Sequence, residues 1–334
     1  MRVPHQNQYA GCLIGQSMGD ALGFVVEGYP PDVCSQYVDE VLRTGKIGTQ
    51  MRRGFAFGQY SDDSQLAREL IESFVVCRTF DPADYAQRIA AIFREHRIVG
   101  KGHATEEAAW RLIQGVQWEQ AGTPPPSAGN GSAMRAAPIG LFFFDDSQRM
   151  IQAAHDQGRI THQDRRCSAG AIAIAGAVAL ALREDPLDPM PFCATLAEWT
   201  RAFDAELAEA LECMPTWIAL PLDTVVRHIT HVGLPADYTD EWQGISPFVT
   251  GSVLWSVYAF LRAPDDYWEA LCTAIAVGGD VDTTAAMTGA ISGAHVGLNS
   301  IPEHLARHVH DQGTWGYDDL VALASRCYAI RMST

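Results

Sequence analysis

Two short stretches of this chain gather oxygen donors where a helix is about to begin. The first is Tyr60-Ser61-Asp62-Asp63-Ser64, which runs into an amphipathic segment. The second is Gly278-Gly279-Asp280-Val281-Asp282-Thr283-Thr284, which runs into a Gly/Ala-rich one. Each sets a hydroxyl beside carboxylates: Ser61 with Asp62 and Asp63, Thr283 with Asp280 and Asp282. Hard divalent cations such as Mg2+ or Mn2+ take these donors, with water completing an octahedral shell. No Cys or His stands in either stretch, which disfavours zinc. Two such clusters can hold a bridged pair of ions that positions substrate oxygens or a nucleophilic water. Helix capping is the competing account, since Asp and Ser are ordinary N-caps and the helix dipole favours carboxylates there. For either stretch alone, capping ranks ahead of metal binding. Gly278 and Gly279 tilt the second toward function, because glycine lets backbone approach a ligand closely.

Other segments add candidates. Gly129-Asn130-Gly131-Ser132-Ala133-Met134-Arg135 is a loop whose amides can cradle phosphate oxygens, against the alternative of a tight turn. Arg135 either adds charge to that site or ties the loop to an acidic neighbour. His162, ahead of the most apolar segment, is placed to hydrogen-bond a sugar hydroxyl, or else serves as a cap satisfied by backbone. His103 precedes a helix with Thr105 and Glu107 in its first turn, and taken alone it reads as structural. Glu27, just past a helix of small residues, is a candidate metal ligand or water activator, against simple exposure.

These residues need a scaffold, and helical periodicity supplies it. Tyr9–Val25 carries Gly11, Gly15 and Gly19 at four-residue spacing, which predicts a helix that approaches its neighbours closely. Further helices are expected over Asp63–Arg78, Tyr85–Arg97, Thr105–Glu119, Ser168–Arg183, Pro191–Met214, Val249–Arg262, Tyr267–Val277, Thr283–Leu298 and Tyr317–Met332. Breakers fall at Thr123–Ser127, Asp185–Pro189 and Gly233–Pro235. No segment alternates as a strand does. The triple proline, Pro124 to Pro126, reads as a surface loop and not a domain boundary, because candidate motifs flank it.

The 334 residues, 47% hydrophobic and 19% charged, describe a globular chain able to bury a large core. A formal charge of −16 argues against a general nucleic-acid binder. The N-terminus has no secretory h-region, and Ala169–Leu182 is too short to span a bilayer, so no membrane partner is expected. Eight scattered cysteines without CxxC pairs read as reduced thiols, and a cytoplasmic location follows.

The ordered set Gly11–Glu27, Tyr60–Leu66, Gly102–Thr105, Gly129–Gly140, Thr161–Leu182 and Gly278–Gly293 resembles the ADP-ribosylglycohydrolase family. The resemblance spans nearly the whole chain. It implies a compact, all-α, orthogonal multi-helix fold, a single domain over residues 1–334, with two Mg2+ (or Mn2+) ions in a central cleft. It implies metal ligands Ser61, Asp62, Asp63, Asp280, Asp282 and Thr283, with Glu27, Asp62 and Asp280 catalytic. By the same resemblance the Gly129–Arg135 loop holds the diphosphate and distal ribose, His103 and His162 meet the substrate, and Ile245 and Phe248 form an adenosine-side wall. One departure stands out: Gly100-Lys-Gly-His-Ala-Thr105 has Gly100 where the arginine-processing branch resembles Asp, and His103 where it resembles Asn. The implied reaction is attack of water on the ribose anomeric carbon through an oxocarbenium-like state, releasing ADP-ribose from an ADP-ribosylated protein or other acceptor. A non-catalytic ADP-ribose-binding role and a metal-dependent nucleotide phosphohydrolase are the alternatives.

Overall fold

The computed structural model describes residues 3–46, 52, 54–234, 238 and 241–333. The described residues are helical, with isolated bridges and no strand. At the centre two helices, Gln6–Gly23 and Val281–Val296, lie antiparallel with backbone against backbone. Gly11 meets Gly293, Gly15 meets Gly289, and Gly23 meets Asp282; a Cβ on Gly15 would stand 2.3 Å from the Gly289 carbonyl oxygen. Only glycine permits that approach. The four-residue spacing of the glycines keeps them on one helical face. The antiparallel sense sets the end of the first helix beside the start of the other. This brings the Gly19–Glu27 stretch to Asp280–Thr283.

Around this pair wraps one continuous apolar core, drawing residues from Tyr9 to Cys327. The helix Arg165–Arg183 has the length and hydropathy to cross a membrane, yet it is buried as a core helix. Gln8 stitches it to the central pair, donating from Nε2 to Leu182 O (3.3 Å) and Ala294 O (2.8 Å). All eight cysteines are unpaired, and six are buried.

Helix ends differ from expectation where caps outweigh periodicity. Pro191–Met214 is two helices, Pro189–Thr200 and Ala205–Trp217. Asp204 starts the second by accepting from Glu206 N (3.0 Å) and Leu207 N (3.2 Å), and no Gly or Pro marks the break. Thr105–Glu119 is likewise divided: a helix over His103–Ile113, then Gly115 at φ +89°, then a single turn at Trp118–Ala121. Short helices at Pro31–Tyr37, Ala137–Phe142 and Leu222–Ile229, and the longer Ser147–Arg159, were not apparent from periodicity. Of the third expected breaker, Pro235 lies outside the described residues.

Candidate functional site

The floor of the site is a cluster of carboxylates contributed by three helices. Asp20, near the end of the first helix, accepts from Ser61 N at 2.8 Å and from Ser64 N at 3.0 Å. It thereby clamps the start of the helix Asp62–Cys77 onto the central pair. Ser61 caps that helix, accepting from Asp63 N (3.4 Å) and donating to Asp63 Oδ2 (2.8 Å). Thr283 donates to the same oxygen from across the site at 3.4 Å. Asp63 Oδ1 is buried and has no hydrogen-bond partner among the described residues.

One oxygen each from Asp20, Asp63 and Asp282 lie within 4.8 Å of one another, and so do oxygens of Glu27, Asp280 and Asp282. Asp282 belongs to both groups. Burial raises Asp20 and Asp280 to about 6, with hydrogen bonds from Ser64 and Ser61, and from Asn130, holding them down. Burial, with neighbouring carboxylates adding to it, holds Asp62, Asp63 and Asp282 well above the usual range. Buried acids this close require protons or cations between them. The oxygen-only donors, the shared Asp282 and the orphaned Asp63 oxygen fit hard divalent ions.

Above the floor opens a cleft of about 540 Å3. Glu27 lies on one side, half-buried and ion-paired with Arg52, whose guanidinium sits 4.4 Å from the Phe24 ring centre. Next to it Gly100, at φ +68°, presses on the first motif. A Cβ there would meet Ser61 Cβ at 3.2 Å and Asp62 Oδ1 at 3.5 Å. Gln65 holds this loop by donating to Arg97 O (2.8 Å) and accepting from Val99 N (2.9 Å). His103 stands at the rim, 86% exposed, 3.3 Å from Glu107.

The opposite wall is the Gly129–Arg135 loop, and its residues divide between two faces. Gly129, Asn130, Gly131 and Met134 line the cleft. Asn130 Nδ2 donates to Asp280 Oδ2 and, at 3.0 Å, to Ser252 Oγ. Ser132, Ala133 and Arg135 turn into the core instead. Ser132 donates to Cys167 O (2.8 Å), and Arg135 is fully buried with its bonds to Gln157 and Thr161. The structure thus places the Arg135 side chain in the core, bonded to Gln157 and Thr161, and not among the residues that line the cleft. His162 does line it, packed under Gly129 and Gly131.

Ile245 acts through its backbone: its carbonyl accepts from Asp280 N (2.8 Å) and its N–H donates to Gly278 O (3.1 Å). With Phe248 it lines an adjoining pocket of about 230 Å3, separate from the carboxylate floor. Trp242 borders both spaces. Sequence reasoning singled out neither Asp20, Arg52, Lys101, Trp242 nor Pro247. Asp20 had a signal: an acid directly after Gly19, on a helix whose glycine face demands close burial.

An ADP-ribosylglycohydrolase family model matches residues 1–333. A protein of Archaeoglobus fulgidus is 28% identical over 98% of both chains. ADP-ribosylhydrolase ARH3 of Bos taurus is 27% identical, covering 97% of this chain and 93% of its own. A solved ADP-ribosylglycohydrolase-related protein complex superposes with a TM-score of 0.70 at 26% identity, over 98% of this chain and 99% of that one.

Proposed function

Because the chain belongs to the ADP-ribosylglycohydrolase family, a family of glycosyl-bond hydrolases, we propose that it cleaves the N- or O-glycosidic bond at the anomeric carbon of an ADP-ribosyl group. ADP-ribose leaves a modified protein or other acceptor, with two Mg2+ or Mn2+ ions as cofactors. The observation that carries this reading is the carboxylate pair of triads joined by Asp282 at the floor of an open cleft.

Asp20, Asp63 and Asp282 would hold one ion, with the Ser61 and Thr283 hydroxyls at hand; Glu27, Asp280 and Asp282 would hold the other. Bound there, the ions supply Lewis acidity and a grip on vicinal hydroxyls of the ribose. Asn130 fixes the Asp280 carboxylate, and Asp20 fixes the first motif, so the floor is organised before substrate arrives. Asp62 lines the cleft beside Gly100 and, with Glu27, is the carboxylate placed to take a proton from the attacking water. The negative floor stabilises positive charge developing at the anomeric carbon. Eight unpaired cysteines fit a cytoplasmic setting.

The test is product analysis on arginine-, serine-, nucleic-acid- and O-acetyl-linked ADP-ribose with Mg2+, Mn2+ or chelator. Metal-dependent release of intact ADP-ribose from one linkage supports the reading and names the acceptor. Cleavage within the diphosphate overturns it in favour of a phosphohydrolase, and binding without turnover in favour of a binding protein.

A further inference from the structure

Behind the cleft wall runs a buried chain of hydrogen bonds that the proposed chemistry does not use. Arg135 donates from Nε to Gln157 Oε1 (3.0 Å) and from Nη2 to Gln157 O (3.2 Å) and Thr161 Oγ1 (2.7 Å). Thr161 Oγ1 in turn lies 2.7 Å from His162 Nδ1. Arg135 and Thr161 are completely buried, and His162 is 3% exposed.

Proton accounting settles the direction of each bond. A guanidinium only donates, so Arg135 takes up a lone pair of the Thr161 hydroxyl. The hydroxyl proton then needs an acceptor, and among the described residues Nδ1 of His162 is the one within reach. A buried hydroxyl proton left unpaired is costly. Nδ1 is therefore bare. Burial and the Arg135 charge, opposed by Asp164, push the imidazole down to about 3, so the ring is neutral and its single proton sits on Nε2.

Nε2 faces the cleft. It lies 3.6 Å from where a Cβ on Gly129 would stand and 3.3 Å from one on Gly131, and it has no hydrogen-bond partner among the described residues. A side chain at either glycine would stand against it. We propose that Arg135 and Thr161 are positioning residues that lock His162 as the Nε2–H tautomer, giving the wall a fixed, uncharged donor for an acceptor atom of the bound ADP-ribosyl group. Only the identity of that acceptor rests on the function proposed above; the tautomer does not.

The experiment uses the full chain with Mg2+, labelled with 15N-histidine, with His162 assigned by the signals missing from His162→Gln. The ring nitrogen shifts of the wild type should report a protonated Nε2 and a bare Nδ1. In Thr161→Val they should move toward a mixture, and Thr161→Ser, which keeps the hydroxyl, should restore them. ADP-ribose affinity by calorimetry should fall roughly 5- to 10-fold in Thr161→Val and stay within about 2-fold in Thr161→Ser. Melting curves and Mn2+ titration of the same variants show whether fold and floor are intact. A wild-type Nδ1–H or charged ring overturns the lock, as does Thr161→Ser behaving like Thr161→Val in a folded protein. Nε2–H in a wild type that binds no ADP-ribose would uphold the lock and sink the functional reading instead.

Discussion

In Ser61-Asp62-Asp63 the helix start is made locally, by a Ser61 cap, and then gripped by Asp20 through the Ser61 and Ser64 amides. In Asp280–Thr283 the N-cap residue Asp280 makes no side-chain capping bond among the described residues, and Thr283 N donates to Asp282 Oδ1 at 2.9 Å. There the backbone is held from outside: Gly279 N donates to Tyr29 O at 2.9 Å, Gly28 N to Gly279 O at 2.8 Å, and Asp280 N to Ile245 O at 2.8 Å. Gly278 and Gly279 take positive φ, +76° and +88°. Two stretches of similar composition thus reach similar ends by opposite routes, one by local chemistry and the other by distant partners. The second depends on backbone that only glycine can supply, so it tolerates less change.

The shared carboxylate should separate the motifs most sharply. Asp282→Ala removes a ligand from both groups and is expected to lower Mn2+ affinity on the order of 100-fold or more, with loss of turnover. Asp63→Ala should leave one ion bound. Calorimetric stoichiometry decides, and equal losses in the two variants would break the idea of a bridge.

Gly279→Ala comes next. Its Cβ would stand 2.2 Å from Ile245 O at φ +88°, and a cost of about 3 kcal/mol in denaturant unfolding is expected. A loss below about 1 kcal/mol would mean the motif is less constrained than its contacts indicate.

The carboxylate floor also makes a pH prediction. Asp20 and Asp280, raised to about 6 in the folded chain, bind protons there that the unfolded chain has released. Their stabilising contribution is present below about pH 4 and is lost as pH rises through about 6. Without metal, melting temperature should therefore fall as pH rises across that window. Mn2+, which needs ionised carboxylates, should raise it most above pH 6. A metal-induced shift independent of pH would argue that the ions do not sit among these acids.

The smallest effect is expected at the local cap. Ser61→Ala in metal-free protein should cost about 1 kcal/mol, and Thr283→Ala, which removes no cap, less. The reverse order would overturn the contrast between the motifs.

Much of the site was legible because its chemistry is written in adjacent residues. Oxygen donors at two helix starts, and glycines at four-residue spacing, point to two acidic clusters and a close helix contact from side-chain chemistry alone. The Gly129–Arg135 loop was legible only in outline. Its turn at Asn130–Ser132 is 3-10. Ser132 and Arg135 face the core, while Gly131 and Met134 line the cleft. Composition cannot say which of those sides faces the ligand. The break at Asp204 was missed for a related reason, since apolar periodicity runs on where a cap resets the helix.

By itself, then, the sequence determined the helical class, the close-packing face of the first helix and the gathering of oxygen donors in its two acidic motifs. These follow from side-chain chemistry and periods of a few residues. Tertiary structure decided that Asp20 joins the floor, that Asp282 serves both groups, and that Arg135 stands behind His162 and not in the cleft. Each of those depends on distances between residues far apart in the chain. The antiparallel packing of Gln6–Gly23 on Val281–Val296 sets them, because it fixes which end of one helix meets which end of the other.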